Sequence, residues 1–193
     1  MNPVMVEFRG PYGWFPGAGV PFIGDAIHVP DFGLYLWTAS LPSGYLVQYV
    51  GETGKSFSRR SKEHARKLLK GRYEVLDPTD FALGVRRPIW PGAFGKERRP
   101  VGECEVAAQT YTDDIQAFMR SLRFFIAPID CDKRTRCRIE GAIARYLAAQ
   151  PGIVGAFQSP GVRYSTRRKD EVPIPCEFRS EAPILGMPEQ LDV

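Results

Sequence analysis

The sequence predicts an α+β fold in a single domain over residues 1–193, and three features carry that expectation. Two β-prone runs at 32–39 and 45–51 are joined by the turn Ser40-Leu41-Pro42-Ser43-Gly44, which reads as a hairpin. A strongly basic helical segment follows at 57–70. A third β-prone run at 121–130 (SLRFFIAPID) then feeds 131–149, the clearest amphipathic helix of the chain, with Ile139, Ile143 and Leu147 at helical spacing.

Residues 1–30 are rich in Gly, Pro and aromatics and read as an irregular arm wrapping the core. In the first run Tyr35 and Trp37 share one face, with Leu34 and Leu36 on the other. In the second, Tyr45, Val47 and Tyr49 share a face, so Tyr35 and Tyr49 can project from the same side of the sheet. Gly54 ends the second run. Ser56 is an N-cap for the helix over 57–70, and Gly71 closes it. Its apolar residues are few (Phe57, Ala65, Leu68, Leu69), so only a narrow stripe packs inward. Arg60 and His64 stand four apart on one face beside that stripe. Residues 72–120 read as an insertion, Pro/Gly-punctuated with short strands or loops to 105 and helical over 110–121. The tail 171–193 carries four prolines and no apolar periodicity, and reads as extended or partly disordered.

With 44% hydrophobic and 12% aromatic residues the chain can bury a core and is expected to be globular. No apolar run reaches membrane-spanning length, and MNPVMVEFRG lacks the pattern of a secretory signal, which points to the cytoplasm. Cys104, Cys131, Cys137 and Cys176 are scattered, without the paired spacing of a zinc site, and read as reduced thiols. The net charge of +4 hides a concentration: residues 55–72 hold eight Lys/Arg against the single acid Glu63. So dense a basic segment, short of the mixed-sign pairing of a bland surface helix, suits a polyanion such as nucleic acid.

Phosphodiester hydrolysis needs a base for water, a cation for the phosphate and a metal for the leaving oxygen. Candidates for each part are present. Tyr35 and Tyr49 supply phenols, which are poor bases unless nearby positive charge lowers their pKa. Arg60 is the adjacent cation and can fork onto a phosphate. His64 can relay a proton near neutral pH. Glu140, beside the buried stripe of Ile139 and Ile143, is a carboxylate in need of a partner, for which Mg²⁺ is suited; Arg136 and Arg138 are the competing partners.

The order Gly33-Leu34-Tyr35, Tyr49-Val50-Gly51, then Arg60 and His64 on the following helix, resembles the GIY-YIG nuclease family. The resemblance covers about 32–71 and 121–158. It implies a small core in which a three-stranded antiparallel sheet is flanked by helices. It also implies a catalytic set of Tyr35, Tyr49, Arg60, His64 and Glu140, with Glu140 binding Mg²⁺ or Mn²⁺. Leu34 and Val50 stand where the family has isoleucines. No Asn follows the helix bearing Glu140, and Gln158 or Ser159 is left to take that role.

The expected partner is DNA, double-stranded for a restriction-type endonuclease, which would dimerise to reach both strands. Lys55, Arg59, Lys62, Arg66 and Lys67 on the basic helix are the expected phosphate contacts. A second cluster (Arg86, Arg87, Trp90, Phe94, Lys96, Arg98, Arg99) could read or stack on bases, and Arg167 and Arg168 lie in a third basic patch from Arg163 to Lys169. The rival readings are a non-catalytic nucleic-acid-binding module on the same fold and an RNA-targeting nuclease.

Overall fold

The computed structural model describes residues 3–193 apart from 18, 27, 29, 94–98, 161 and 163. The elements run β1 (Val4–Tyr12), β2 (Gly33–Leu41), β3 (Gly44–Thr53), α1 (Phe57–Leu69), β4 (Val75–Leu76), α2 (Pro78–Ala82), β5 (Pro88–Trp90), α3 (Val101–Thr110), α4 (Thr112–Ser121), β6 (Arg123–Pro128), α5 (Lys133–Ala148), α6 (Ile153–Phe157), β7 (Pro175–Ser180), β8 (Ile184–Leu185) and β9 (Gln190–Asp192), with a 3₁₀ turn at Ile23–Asp25. The fold is α+β. The expected hairpin, third strand and two main helices form within two residues of their sequence limits.

The sheet is larger than the three antiparallel strands expected. It has seven strands in the order β8-β3-β2-β6-β1-β7-β9, mixed in direction, with antiparallel β3-β2-β6 flanked by further strands on both sides. The N-terminal arm is not irregular throughout: Val4 to Phe8 alternates, with Val6 and Phe8 buried and Met5 and Glu7 exposed, and it pairs with β6 and β7 as β1. The tail is ordered for the same reason. Cys176 and Phe178 turn inward while Arg179 faces solvent, and the prolines sit at strand starts and turns where no ladder N–H is needed. The insertion adds helices that the Pro/Gly punctuation concealed, α2 and α3, and the helix expected at 110–121 forms as α4, set off from α3 by a break at Tyr111.

Strand alternation divides the interior into two cores. On one face Tyr35, Trp37, Phe124 and Ile126 pack with Phe57 and Leu68 of α1 and Ile115 and Phe118 of α4. On the other, Leu34, Leu36, Val50, Phe125 and Ala127 pack with Ile139, Ile143 and Leu147 of α5 and with Val6 and Phe8. The expected common face for Tyr45, Val47 and Tyr49 is overturned. The register slips between Trp37 and Thr38, leaving Gln48 as an extra residue in β3. This bulge sends Tyr45 and Val47 to the α5 face and leaves Tyr49 with Tyr35 on the α1 face.

Phe178 is nearly buried against β1 and α5, which makes the tail part of the core. Phe178→Ala is therefore expected to lower the unfolding free energy by about 3 kcal/mol in urea denaturation; an unchanged midpoint would return the tail to a disordered appendage.

Candidate active site

The two glycines of the tyrosine motifs shape the site. Tyr35 pairs across the hairpin with Gly51, and a Cβ there would lie 2.2 Å from the Tyr35 ring, so only glycine lets the phenol cross the neighbouring strand. Gly33 has φ +151° and would direct a Cβ to 2.0 Å from the Ala127 carbonyl oxygen, so glycine is also needed where β2 and β6 close together.

Across Gly51 the Tyr35 hydroxyl meets α1. It lies 2.8 Å from His64 Nε2 and accepts a hydrogen bond from Arg60 Nε at 3.3 Å. Tyr49 stands beside it with ring centroids 6.1 Å apart. The helix is held at the required height by Ser56, whose hydroxyl accepts the Arg59 N–H as the expected cap, and by Asp31, which accepts the Phe57 N–H. Tyr35 and His64 are each only 3% exposed. A cavity of about 10 Å³, close to the lower limit for one water, adjoins Tyr35, Arg60, Ser61 and His64.

Burial dominates the ionisation of these groups. It pushes Tyr35 well above the usual phenol value, aided by Tyr49, and Arg60 does not offset it. It raises Tyr49 to about 12, with the Glu140 carboxylate adding to the effect. The expectation that positive charge prepares a phenolate is thus corrected, because desolvation outweighs one guanidinium. His64 is lowered to about 3 by burial and then by Arg60 and Lys67, so it is neutral at physiological pH and does not titrate near neutrality as expected.

Glu140 is placed by α5 at the end of β3, where Oε1 accepts the Glu52 N–H at 2.9 Å. Neither competing arginine pairs with it. Arg136 bonds Glu52 at 3.3 Å and the Cys131 carbonyl, and Arg138 bonds the Val172 and Val193 carbonyls. Burial, with the charge of Glu52, raises Glu140 to about 7, and its charge is felt by Tyr49 across the strand. Among the described residues no three His, Cys, Asp or Glu side chains gather as a metal cage. One half-buried carboxylate that makes no ion pair among the described residues, though it feels the charge of Arg60, nonetheless fits the way Mg²⁺ is held, by one or two carboxylates with substrate oxygens and water completing the shell.

Both substitutes for the absent Asn sit at the junction of α6 and β3. Gln158 gives its amide N–H groups to the Val47 and Val154 carbonyls, and the Ser159 N–H bonds the Gln48 carbonyl, so both pin α6 to β3.

The basic residues separate into paired and unpaired sets. Glu63 gathers Lys55 at 2.6 Å, Arg60 at 3.4 Å and Arg59 at 3.7 Å, so the helix is more paired than its charge count implied. Lys67 lies over the Tyr73 ring at 5.5 Å. Lys62 and Arg66 are exposed and have no carboxylate partner among the described residues. Arg86 is paired with Glu74, and Arg87 with Asp77 and Asp80, pairs that tie the residues before β5 back to β4 and α2. Trp90 donates to the Gly71 carbonyl and stacks near Tyr111, so it anchors the insertion. Phe94, Lys96, Arg98 and Arg163 lie outside the described residues. Arg167 and Arg168 are exposed on a segment that crosses α5 at Gly141, where a Cβ would lie 2.2 Å from the Ser165 carbonyl oxygen, beside Glu140.

Sequence reasoning missed Glu52, Tyr73 and Tyr164. Tyr164 donates to the Val50 carbonyl at 3.2 Å and closes the site between Tyr49 and Glu140; Tyr73 reaches His64 Nδ1 at 3.1 Å. Glu52, adjoining the second motif, had a positional signal; the other two had none. 

Because Glu140 is raised in the folded chain, its contribution is present below about pH 4.5 and is lost as pH rises through 7. Glu140→Gln is expected to be more stable than the wild type by roughly 3 kcal/mol at pH 8, the gap vanishing below pH 4.5; chemical unfolding across this range checks it, and a gap independent of pH would refute it. Comparison with family models, with curated proteins and with solved structures returned no match.

Proposed function

We propose that the chain is a metal-dependent DNA endonuclease that hydrolyses phosphodiester bonds with a GIY-YIG-like site. The observation that carries this reading is the buried cluster in which Tyr35 joins His64 and Arg60 by hydrogen bonds, with Tyr49 beside it and Glu140 across β3. Five residues from four elements converge, in the types that hydrolysis of a phosphodiester requires.

In this reading the scissile phosphate lies against Arg60, whose side chain is 28% exposed and whose guanidinium neutralises charge developing on the equatorial oxygens. The attacking water gives its proton to Tyr35. Since Tyr35 is not a phenolate, it accepts that proton only while passing its own to Nε2 of neutral His64. The water oxygen bonds to phosphorus, the bond to the 3′-oxygen breaks, and that oxygen takes a proton from solvent. Glu140 would hold Mg²⁺ or Mn²⁺, which supplies Lewis-acid stabilisation of the leaving oxygen. Lys62, Arg66, Arg167 and Arg168 provide phosphate contacts that set affinity without reading sequence. Arg86 and Arg87 are left out of the interface because acids occupy them. A restriction-type enzyme would act on duplex DNA as a homodimer. Among the described residues no helix is long and apolar enough to cross a membrane.

Cleavage of supercoiled plasmid with Mg²⁺ and with EDTA tests the proposal. Wild type is expected to give metal-dependent fragments, and Glu140→Ala and Tyr35→Phe to lose at least about 100-fold in rate while retaining DNA binding in gel shifts. Binding without cleavage by wild type would make the chain a nucleic-acid-binding module, and cleavage confined to RNA would reassign the substrate.

A further inference from the structure

The insertion contributes a residue to the cluster. His64 bonds Tyr35 through Nε2 at 2.8 Å, and its other ring nitrogen lies 3.1 Å from the Tyr73 hydroxyl. Tyr73 follows the turn at Gly71 and packs its ring on His64 and on Trp37, with centroids 5.6 Å and 6.1 Å away. Its backbone is clamped from outside. The Ala93 N–H bonds the Arg72 carbonyl, Val75 pairs with Trp90, and Gly92 (φ +74°) lies so close that a Cβ would sit 2.6 Å from the Tyr73 carbonyl carbon. The β4–β5 ribbon thus holds Tyr73 against the imidazole.

We propose that Tyr73 is a positioning residue for the proton relay: its oxygen accepts the Nδ1 proton of His64, fixing the tautomer whose Nε2 lone pair faces Tyr35. This rests on the nuclease reading above for its catalytic meaning but not for its geometry. A neutral imidazole carries one N–H, and the relay needs Nε2 bare, so the proton must stand on Nδ1. There it needs an acceptor, since a buried N–H without one is costly. When His64 takes the Tyr35 proton, the imidazolium forms with Nδ1–H still held by Tyr73. On product release that proton returns through Tyr35 to solvent, so no atom is left over. The charges facing His64 are Arg60 and Lys67, which oppose the imidazolium, and Glu63, which favours it; a bound phosphate adds a further anion in its favour.

Long-range ¹⁵N–¹H NMR of the whole chain tests this directly. There are two histidines, so a His28→Gln variant assigns the His64 signals. Wild type is expected to show His64 neutral at pH 7 in the Nδ1–H form. Tyr73→Phe, which keeps the ring, is expected to shift the population toward Nε2–H, and Gly92→Ala to do the same in part by displacing Tyr73. In single-turnover cleavage Tyr73→Phe should slow the reaction about 10–100-fold with DNA affinity unchanged, and should add no loss to His64→Ala. A wild-type Nε2–H tautomer, or a tautomer unmoved in Tyr73→Phe, overturns the assignment, and the wild-type spectrum alone decides if a variant fails to fold. Absence of any cleavage by wild type would instead sink the nuclease reading, with the tautomer still judging Tyr73.

Discussion

The placement of Tyr35 over Gly51 is the constraint on which the rest of the site depends. A side chain at Gly51 would strike the phenol, and the hydroxyl would then fall short of α1. With glycine there, the ring crosses the strand and joins the sheet to His64 and Arg60 by hydrogen bonds. The height of α1 follows from its first turn, capped by Ser56 and tied to Asp31. Its first turn is also covered by the 3₁₀ turn, whose Ile23 belongs to the same apolar cluster as Phe57. The bulge at Gln48 is a second condition, since it brings Tyr49 to the Tyr35 face after Tyr45 and Val47 have turned to the other.

Burial sets the electrostatics of this cluster. Two phenols are held protonated, His64 is held neutral, and Glu140 is lifted to about 7, while Arg60 keeps its charge. In a low-dielectric interior a lone charge is expensive, and Arg60, set against these neutral groups, has Glu63 at 3.4 Å to balance it. Burial works against the ionised form of Glu140 and the charge of Arg60 only partly offsets it, while Arg136 and Arg138 are turned to Glu52 and to backbone carbonyls.

Charge on the outer surface was redistributed by folding. Acids far off in sequence or on the next turn take up Arg86, Arg87, Lys55 and Arg59, whereas Lys62, Arg66, Arg167 and Arg168 face solvent. These four exposed cations thus come from two separate segments, α1 and the strap over α5. Counting charge along the chain could not separate them from the clasped ones, because ion pairing depends on which acids the fold carries into reach.

Local pattern was enough for the hairpin, α1 with its Ser56 cap, the strand at 123–128 and α5, since each is written in spacing over a few neighbouring residues. It also placed Tyr35 and Tyr49 on one side, though by a face assignment for β3 that the bulge overturned. The sequence likewise singled out Arg60, His64 and Glu140, each on a regular element whose face could be inferred. Tertiary structure alone decided the breadth of the sheet, because β1 finds β6 and β7 across more than a hundred residues, and the alternation of β1, β7 and β9 is too short to stand out among prolines and glycines. It alone brought Tyr73 and Tyr164 to the site, and it alone settled the ionisation of Tyr35, His64 and Glu140. Burial and long-range contact belong to the packed chain, and no window of sequence contains them.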